Sequence, residues 1–273
     1  MKKSTLQRIE EIKRTGYNLD LGEAINSVFG NYKKIALLAG AVILLVGILA
    51  LVVIGGAAAI IVGVAALTES LTEYGSGVVT STALIANLIG SVIGAGLFAP
   101  VAAGIIQMAH NAEINEDFDF GTAFMHYKTK YFKELFFSAI IITLAGSGLS
   151  TGLELLKLSD PTGSFVIAGT VIGAVISILV SLFTLVTIPL IIFGDLKAID
   201  AIKSSFVLVS KNFWIILLLA IIVIVFIFLG IIALCIGIIF TLPAMYSLQY
   251  VIYKTALPID ETNELDEIGS SRF

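Results

Sequence analysis

The run HNAEINEDFDF, residues 110–120, collects the groups in this chain best suited to bind a metal or move a proton: His110, Glu113, Glu116, Asp117 and Asp119, with His126 just beyond. Membrane oxygenases and desaturases hold their metals with clusters of histidine, or of histidine with carboxylate, because several donor atoms must converge on one ion. With two histidines in all, the chain cannot build such a cluster. A solvated acidic loop is the expected reading, and a surface metal site on the acidic run is the alternative. Cys235 stands in an apolar run without a second thiol or a nearby histidine, and reads as a small buried hydrophobe. No HExxH, Walker or dinucleotide-binding pattern occurs. The chain is therefore expected to be non-enzymatic, with no cofactor and no metal.

Composition sets the elements that must position these groups. Hydrophobic residues make up 58% of the chain and charged ones 13%, with mean hydropathy +1.04, whereas water-soluble domains carry about 25% charged residues. Several apolar runs reach the roughly 20 residues that cross a hydrocarbon core of about 30 Å as helix, so an all-α membrane fold is expected. The runs are continuous, not alternating, which argues against a transmembrane β-barrel. Spans are predicted from Ile35 to about Ala66, Thr82 to Met108, Leu135 to Leu156 and Phe165 to Phe193. The run from Phe213 to Tyr253 would be about 60 Å long as one helix, which predicts two crossings with a tight reversal near Gly230 to Gly237. The first run is also overlong, and is expected to bend at Gly55 and Gly56 or to project beyond the bilayer.

Six transmembrane helices would put both termini, residues 109–134 and 194–212, and every Lys and Arg except Lys157 on one side. The positive-inside rule makes that side cytoplasmic. The opposite face keeps Glu69, Glu73, Glu154, Lys157 and Asp160. No apolar stretch follows the lysines of MKKSTLQRIEEIKRTG, so no secretory signal peptide is expected. Between the ends of the spans the polar residues are Asn87, Gln107, Gln249 and scattered Ser and Thr. Hydroxyls can bond back to their own helix. Asn87 and Gln249 are the predicted interhelical hydrogen-bond formers, each worth about 0.6–2 kcal/mol. The lack of buried charge argues against a pump driven by titratable side chains.

Three segments share a plan: LGEAINSVFGNYKKIALL (Leu21 to Leu38), FGTAFMHYKTKYFKELFF (Phe120 to Phe137) and AIDAIKSSFVLVSKNFWIILL (Ala198 to Leu218). Ala24, Ala123 and Ala201 open an amphipathic stretch, which closes on Tyr32, Tyr131 or Phe213. In the third, Ile199, Ile202, Phe206, Val209 and Phe213 recur at helical spacing, while Lys203, Ser204 and Lys211 are expected to point elsewhere. Such stretches suit helices lying in the headgroup plane, anchored by Tyr32, Lys33 and Lys34, by Tyr131 and Lys133, and by Lys211, Phe213 and Trp214. Each even-numbered span then carries a proline, Pro100, Pro189 or Pro243, expected to kink it. The predicted architecture is three pseudo-repeated hairpins, at about 21–110, 119–195 and 197–254, each preceded by an amphipathic interfacial helix.

The residues TIPLIIFGDLKAIDAIKSSFVLVSKNF and GIIALCIGIIFTLPAMYSLQYVIY carry a resemblance. They look like a bacterial six-helix inner-membrane family related to the membrane domain of glycerophosphoryl diester phosphodiesterase. The echoed positions are Pro189, Ala198, Ala201, Ser205, Asn212, Cys235, Gly237, Pro243 and Tyr250. What the resemblance implies is the fold and a bacterial inner-membrane location, without the phosphodiesterase reaction, which belongs to a separate soluble domain.

Small residues at four-residue spacing form three seams: Gly55, Ala59 and Gly63; Gly90 and Gly94; and Gly169, Gly173, Ser177 and Ser181. Seams of this kind let helix backbones approach closely in lipid, within one chain or between two copies. Residues 1–20 form a cytoplasmic segment in which Leu6, Ile9 and Ile12 share a helix face that could meet the membrane or another protein. Residues 21–254 form the transmembrane domain, and 255–273 an acidic tail expected to be disordered. The expected partners are membrane lipids and a protein partner or second copy, with no nucleic acid. The expected role is a lipid-contacting or envelope-homeostasis scaffold; the alternative is a transporter or permease subunit for hydrophobic or amphipathic molecules.

Overall fold

A computed structural model of the chain describes residues 4–62, 80–159, 165–232 and 237–258. Helix dominates these residues, and no strand occurs among them. Helix α1 (Thr5–Thr15) starts at a capping box, in which the side chains of Ser4 and Gln7 each accept from the other's backbone N–H. Next comes α2 (Leu21–Val62), whose 42 residues span about 63 Å, twice a hydrocarbon core. Thr80 caps α3 (Ser81–Glu113), and Asp119 caps the short α4 (Phe120–Phe124), which passes into a 3-10 turn at Met125–Tyr127. The chain then forms α5 (Phe132–Thr143), a π-helical turn at Leu144–Gly148 and α6 (Leu149–Ser159). A turn at 184–186 separates α7 (Phe165–Phe183) from α8 (Thr187–Ile192). The described residues end with α9 (Ala198–Lys211), α10 (Phe213–Ile232), α11 (Gly237–Thr241) and α12 (Pro243–Ala256).

Five stretches are long and apolar enough to cross a membrane: Leu21–Val52, Ser81–Glu113, Phe132–Leu156, Gly169–Ile192 and Phe213–Ile232. Large apolar side chains line their outer faces, among them Ile48 and Leu51, Ile89 and Ile93, Ile178, and Val225 and Phe228. Exposed apolar surface on that scale requires lipid, and the chain is a multi-pass helical membrane protein. At its centre stands α3, packed against α2, α5, α8 and α12, with nearly every side chain from Ala99 to His110 buried.

The entry segments take three forms rather than one. Leu21–Leu38 is not a separate interfacial helix: with no proline in it, the helix continues into the first span and through Gly55 and Gly56 without a break. The second segment supplies only α4 and its 3-10 turn. The third is the separate helix α9, whose apolar stripe is divided between the chain and the surface, with Val209 buried and Ile202 half-buried. Ala198, Ala201, Ser204, Ser205 and Leu208 are buried, while Ile199 and Phe206 are exposed. Ser204 therefore points inward, because the small side chains let α9 sit closely against α7 and α8. What the segments share is the opening alanine: Ala24, Ala123 and Ala201 are all buried.

The prolines differ too. Pro100 lies inside the unbroken α3, whereas Pro189 falls in the first turn of α8 and Pro243 begins α12. First-turn N–H groups have no helical acceptor, so a proline there removes nothing and the two later spans restart instead of bending. The described residues from Phe213 on form three separate helices, α10, α11 and α12. The backbones of Gly230 and Gly237 meet so closely that a Cβ on Gly230 would lie 2.9 Å from the Gly237 carbonyl. The partner of α1 is the chain itself, since Ile9 and Ile12 are buried and α1 packs on α9, with Leu6 left exposed. Gly63, Glu69, Glu73, Asp160, Cys235 and the tail beyond Pro258 lie outside the described residues.

Candidate functional site

The proline-bearing pieces converge on one cavity of about 480 Å³, a size typical of small-molecule sites at roughly 300–1,000 Å³. Its walls come from α3 beside Pro100 (Ala95, Phe98, Ala99, Ala102), from the α7–α8 junction before Pro189 (Ser181, Thr184, Leu185, Thr187, Ile188), and from α12 after Pro243 (Met245, Tyr246, Gln249). A fourth wall is α5, through Ser138, Ala139, Ile142 and Thr143. All three prolines are buried. Among the described residues, none that lines the cavity is charged.

The α7–α8 junction is held open by α9. Ser205, fully buried, donates to the Phe183 carbonyl at 2.8 Å and accepts from the Val186 N–H at 3.2 Å, serving both sides of the break. The Thr187 hydroxyl is buried with no hydrogen bond at all. Across the cavity, Tyr246 and Gln249 lie on one face of α12, and neither side chain hydrogen-bonds to a described residue.

On the other side of α3 a groove of about 490 Å³ runs between α2 and α3, lined by Val46, Leu49, Ala50, Gly90, Ile93, Gly94, Leu97 and Val101, with Phe124 and Tyr127 at one end. Phe98 lines both the groove and the cavity. Adding a Cβ at Gly90 or Gly94 would meet nothing within 4 Å, so this seam is open to the groove and not used for packing within the chain. The third seam is used internally: Ser177 and Ser150 lie 2.6 Å apart, joining α7 to α6.

The expected interhelical bonds of Asn87 and Gln249 are absent among the described residues. Asn87 is exposed on α3, and Gln249 faces the cavity. Asn31 does that work instead. Buried on α2, it donates to the Ala109 carbonyl at 2.6 Å and accepts from Ser247 at 2.8 Å, tying α2 to α3 and α12. Its place in the amphipathic entry segment hid it, since periodicity reads that stretch as surface. Of the expected anchors, Lys33, Lys133, Lys211 and Trp214 are exposed, while Tyr32, Tyr131 and Phe213 are half-buried. Tyr32 packs edge-on against Phe226, Phe213 stacks on Phe183, and Lys34 donates to the Ala112 carbonyl at 2.8 Å.

The histidines and acids do not gather. His110 is buried on α3, its Nδ1 3.1 Å from the Tyr250 hydroxyl and its ring against Phe193. His126 is buried in the 3-10 turn, with Nδ1 3.3 Å from the Thr129 hydroxyl and Nε2 unpartnered; burial pushes its pKa down to about 4. Glu113 pairs with Lys254 of α12, and Asp119 caps α4. No group of three or more His, Cys, Asp or Glu among the described residues could hold a metal. Residues 148–152, GLSTG, do match the Gly-x-Ser-x-Gly pattern of hydrolase nucleophile elbows, which place the serine on a strand-to-helix turn. Here Ser150 lies within α6, donating to the Gly146 and Gly173 carbonyls, so the match is helix packing. Comparison with protein-family models, curated proteins and solved structures gives no match for this chain.

Proposed function

We propose that this chain is a non-enzymatic multi-pass protein of a bacterial inner membrane, crossing six times with both ends cytoplasmic, that acts by holding lipid as a scaffold in envelope or lipid homeostasis. The sixth crossing is read from α11 and α12 together, too interrupted at Leu242 and Pro243 to count as one long helix. An even count is supported by the Arg8 guanidinium donating to the Pro258 carbonyl at 3.2 Å, which brings the two ends of the described chain together. The six-helix family resemblance, carried by Pro189, Ser205, Gly237 and Pro243, points the same way.

The observation that carries the lipid reading is the α2–α3 groove. It lies inside two apolar spans, is walled almost wholly by hydrocarbon, and is widened where Gly90 and Gly94 present no side chain. An acyl chain fits that chemistry. Lipid should therefore co-purify and resist detergent exchange, and the double substitution Gly90→Leu, Gly94→Leu should strip it by filling the groove. Wild-type protein that emerges lipid-free with an unchanged melting temperature would reject this reading.

A second reading, a permease for hydrophobic or amphipathic molecules, is favoured by the cavity at the three proline-bearing pieces. Substrate flux in liposomes would support it, and flux indifferent to Pro100→Ala, Pro189→Ala and Pro243→Ala would remove its mechanical basis.

A further inference from the structure

We propose that the cavity between α3, α5, α8 and α12 is a binding site for a neutral amphiphile, one apolar chain bearing an uncharged hydroxyl- or amide-type head. As a transport site it rests on the permease reading; as a binding site it stands on its lining residues.

The lining excludes charge. Among the described residues no Asp, Glu, Lys, Arg or His faces the cavity, so a carboxylate, phosphate or ammonium head would shed its water without a counterion. A wholly apolar occupant is disfavoured by the opposite argument. Thr187 is 1% exposed and its hydroxyl has no partner, a loss that burial makes costly unless something supplies the bond. Tyr246 and Gln249 add a hydroxyl and an amide on the facing wall. Donors and acceptors are thus both present, which matches a head that can do both. The remaining walls, including Phe98, Ala99, Ile142 and Ile188, are apolar and suit a hydrocarbon chain.

Photo-crosslinking of the detergent-purified full chain tests the assignment with three diazirine probes of equal chain length: a monoacylglycerol, the corresponding fatty acid at neutral pH, and the hydrocarbon. The monoacylglycerol should label peptides of α3, α5, α8 or α12 saturably, and the other two should not. Thr187→Val and Gln249→Leu should each weaken that labelling by roughly three- to tenfold, as loss of one hydrogen bond implies. Thr187→Val should leave the melting temperature of the unliganded protein unchanged or raised, because it deletes an unpaired hydroxyl, so lost labelling cannot be ascribed to unfolding. Ala102→Leu, which fills the cavity, should abolish labelling. Equal labelling by the fatty acid or the hydrocarbon, or labelling indifferent to both Thr187→Val and Ala102→Leu, overturns the site. Saturable monoacylglycerol labelling without flux in liposomes keeps the site and removes the permease reading.

Discussion

Replacing Gly104 by alanine should destabilise the protein by about 1–2 kcal/mol, although alanine is the better helix former. The new Cβ would lie 2.5 Å from both the Cα and the carbonyl carbon of Ala123, and nearer still to its oxygen. Comfortable carbon–carbon separation is about 3.5–4.0 Å, so α4 would have to retreat by roughly 1 Å. All of the obstructing atoms are backbone, with no flexible side-chain end to swing aside. Retreat is resisted, because Ala123 is fully buried, Asp119 and Thr122 fix the start of α4, and Tyr127 donates to the Leu97 carbonyl at 2.6 Å. Overpacking costs about 1–3 kcal/mol, and against rigid backbone the upper part of that range, about 2–3 kcal/mol, applies, against a helix-propensity gain of about 1 kcal/mol. Gly90→Ala and Gly94→Ala are the matched controls, with open space at the same step and only the propensity gain in play. Thermal unfolding in mild detergent should show Gly104→Ala melting several degrees below wild type and the two controls at or above it. A Gly104→Ala protein as stable as wild type, or controls that lose as much, would refute the close packing of α4 on α3.

Asn31→Leu removes the bonds to Ala109 and Ser247 and should lower stability by about 1–3 kcal/mol, read as a lower melting temperature; an unchanged value would show that the α2–α3–α12 tie is not formed. His126 has its folded pKa pushed down to about 4 by burial, against about 6.5 when unfolded, so between these values only the unfolded chain takes up the proton. Stability should then be full above about pH 6.5 and fall by up to about 3 kcal/mol as pH approaches 4, and His126→Leu should flatten that slope; an identical slope in the variant would count against a neutral buried imidazole. Topology can be read with a membrane-impermeant thiol reagent on intact cells carrying Cys235→Ser: Thr80→Cys should be labelled from outside and Lys128→Cys and Lys211→Cys should not, whereas external labelling of Lys211→Cys would sink the six-span orientation.

Some of this was legible in the residues, because it depends on the solvent and not on neighbours. Apolar runs too long for a soluble core demand lipid and helix, and the run after Phe213, overlong for one helix, contains the separate helices α10, α11 and α12, with the backbones of Gly230 and Gly237 in close approach. The third entry segment was readable by its period as a helix, and Ala24, Ala123 and Ala201, each near the start of its segment, are all buried in the fold.

Hydrophobic periodicity says that a side chain avoids water but not which neighbour it meets, and in lipid both faces of a helix satisfy it equally. Tertiary packing alone decided that Ser204 and Ser205 face inward, that Asn31 rather than Asn87 bridges helices, and that Gly104 carries a close approach while Gly90 and Gly94 stay open. The same holds for the cavity. Pro100, Pro189 and Pro243 are visible one by one in the sequence, but the cavity their helices share, with Thr187 unpartnered in its wall, exists only because α3, α8 and α12 pack together.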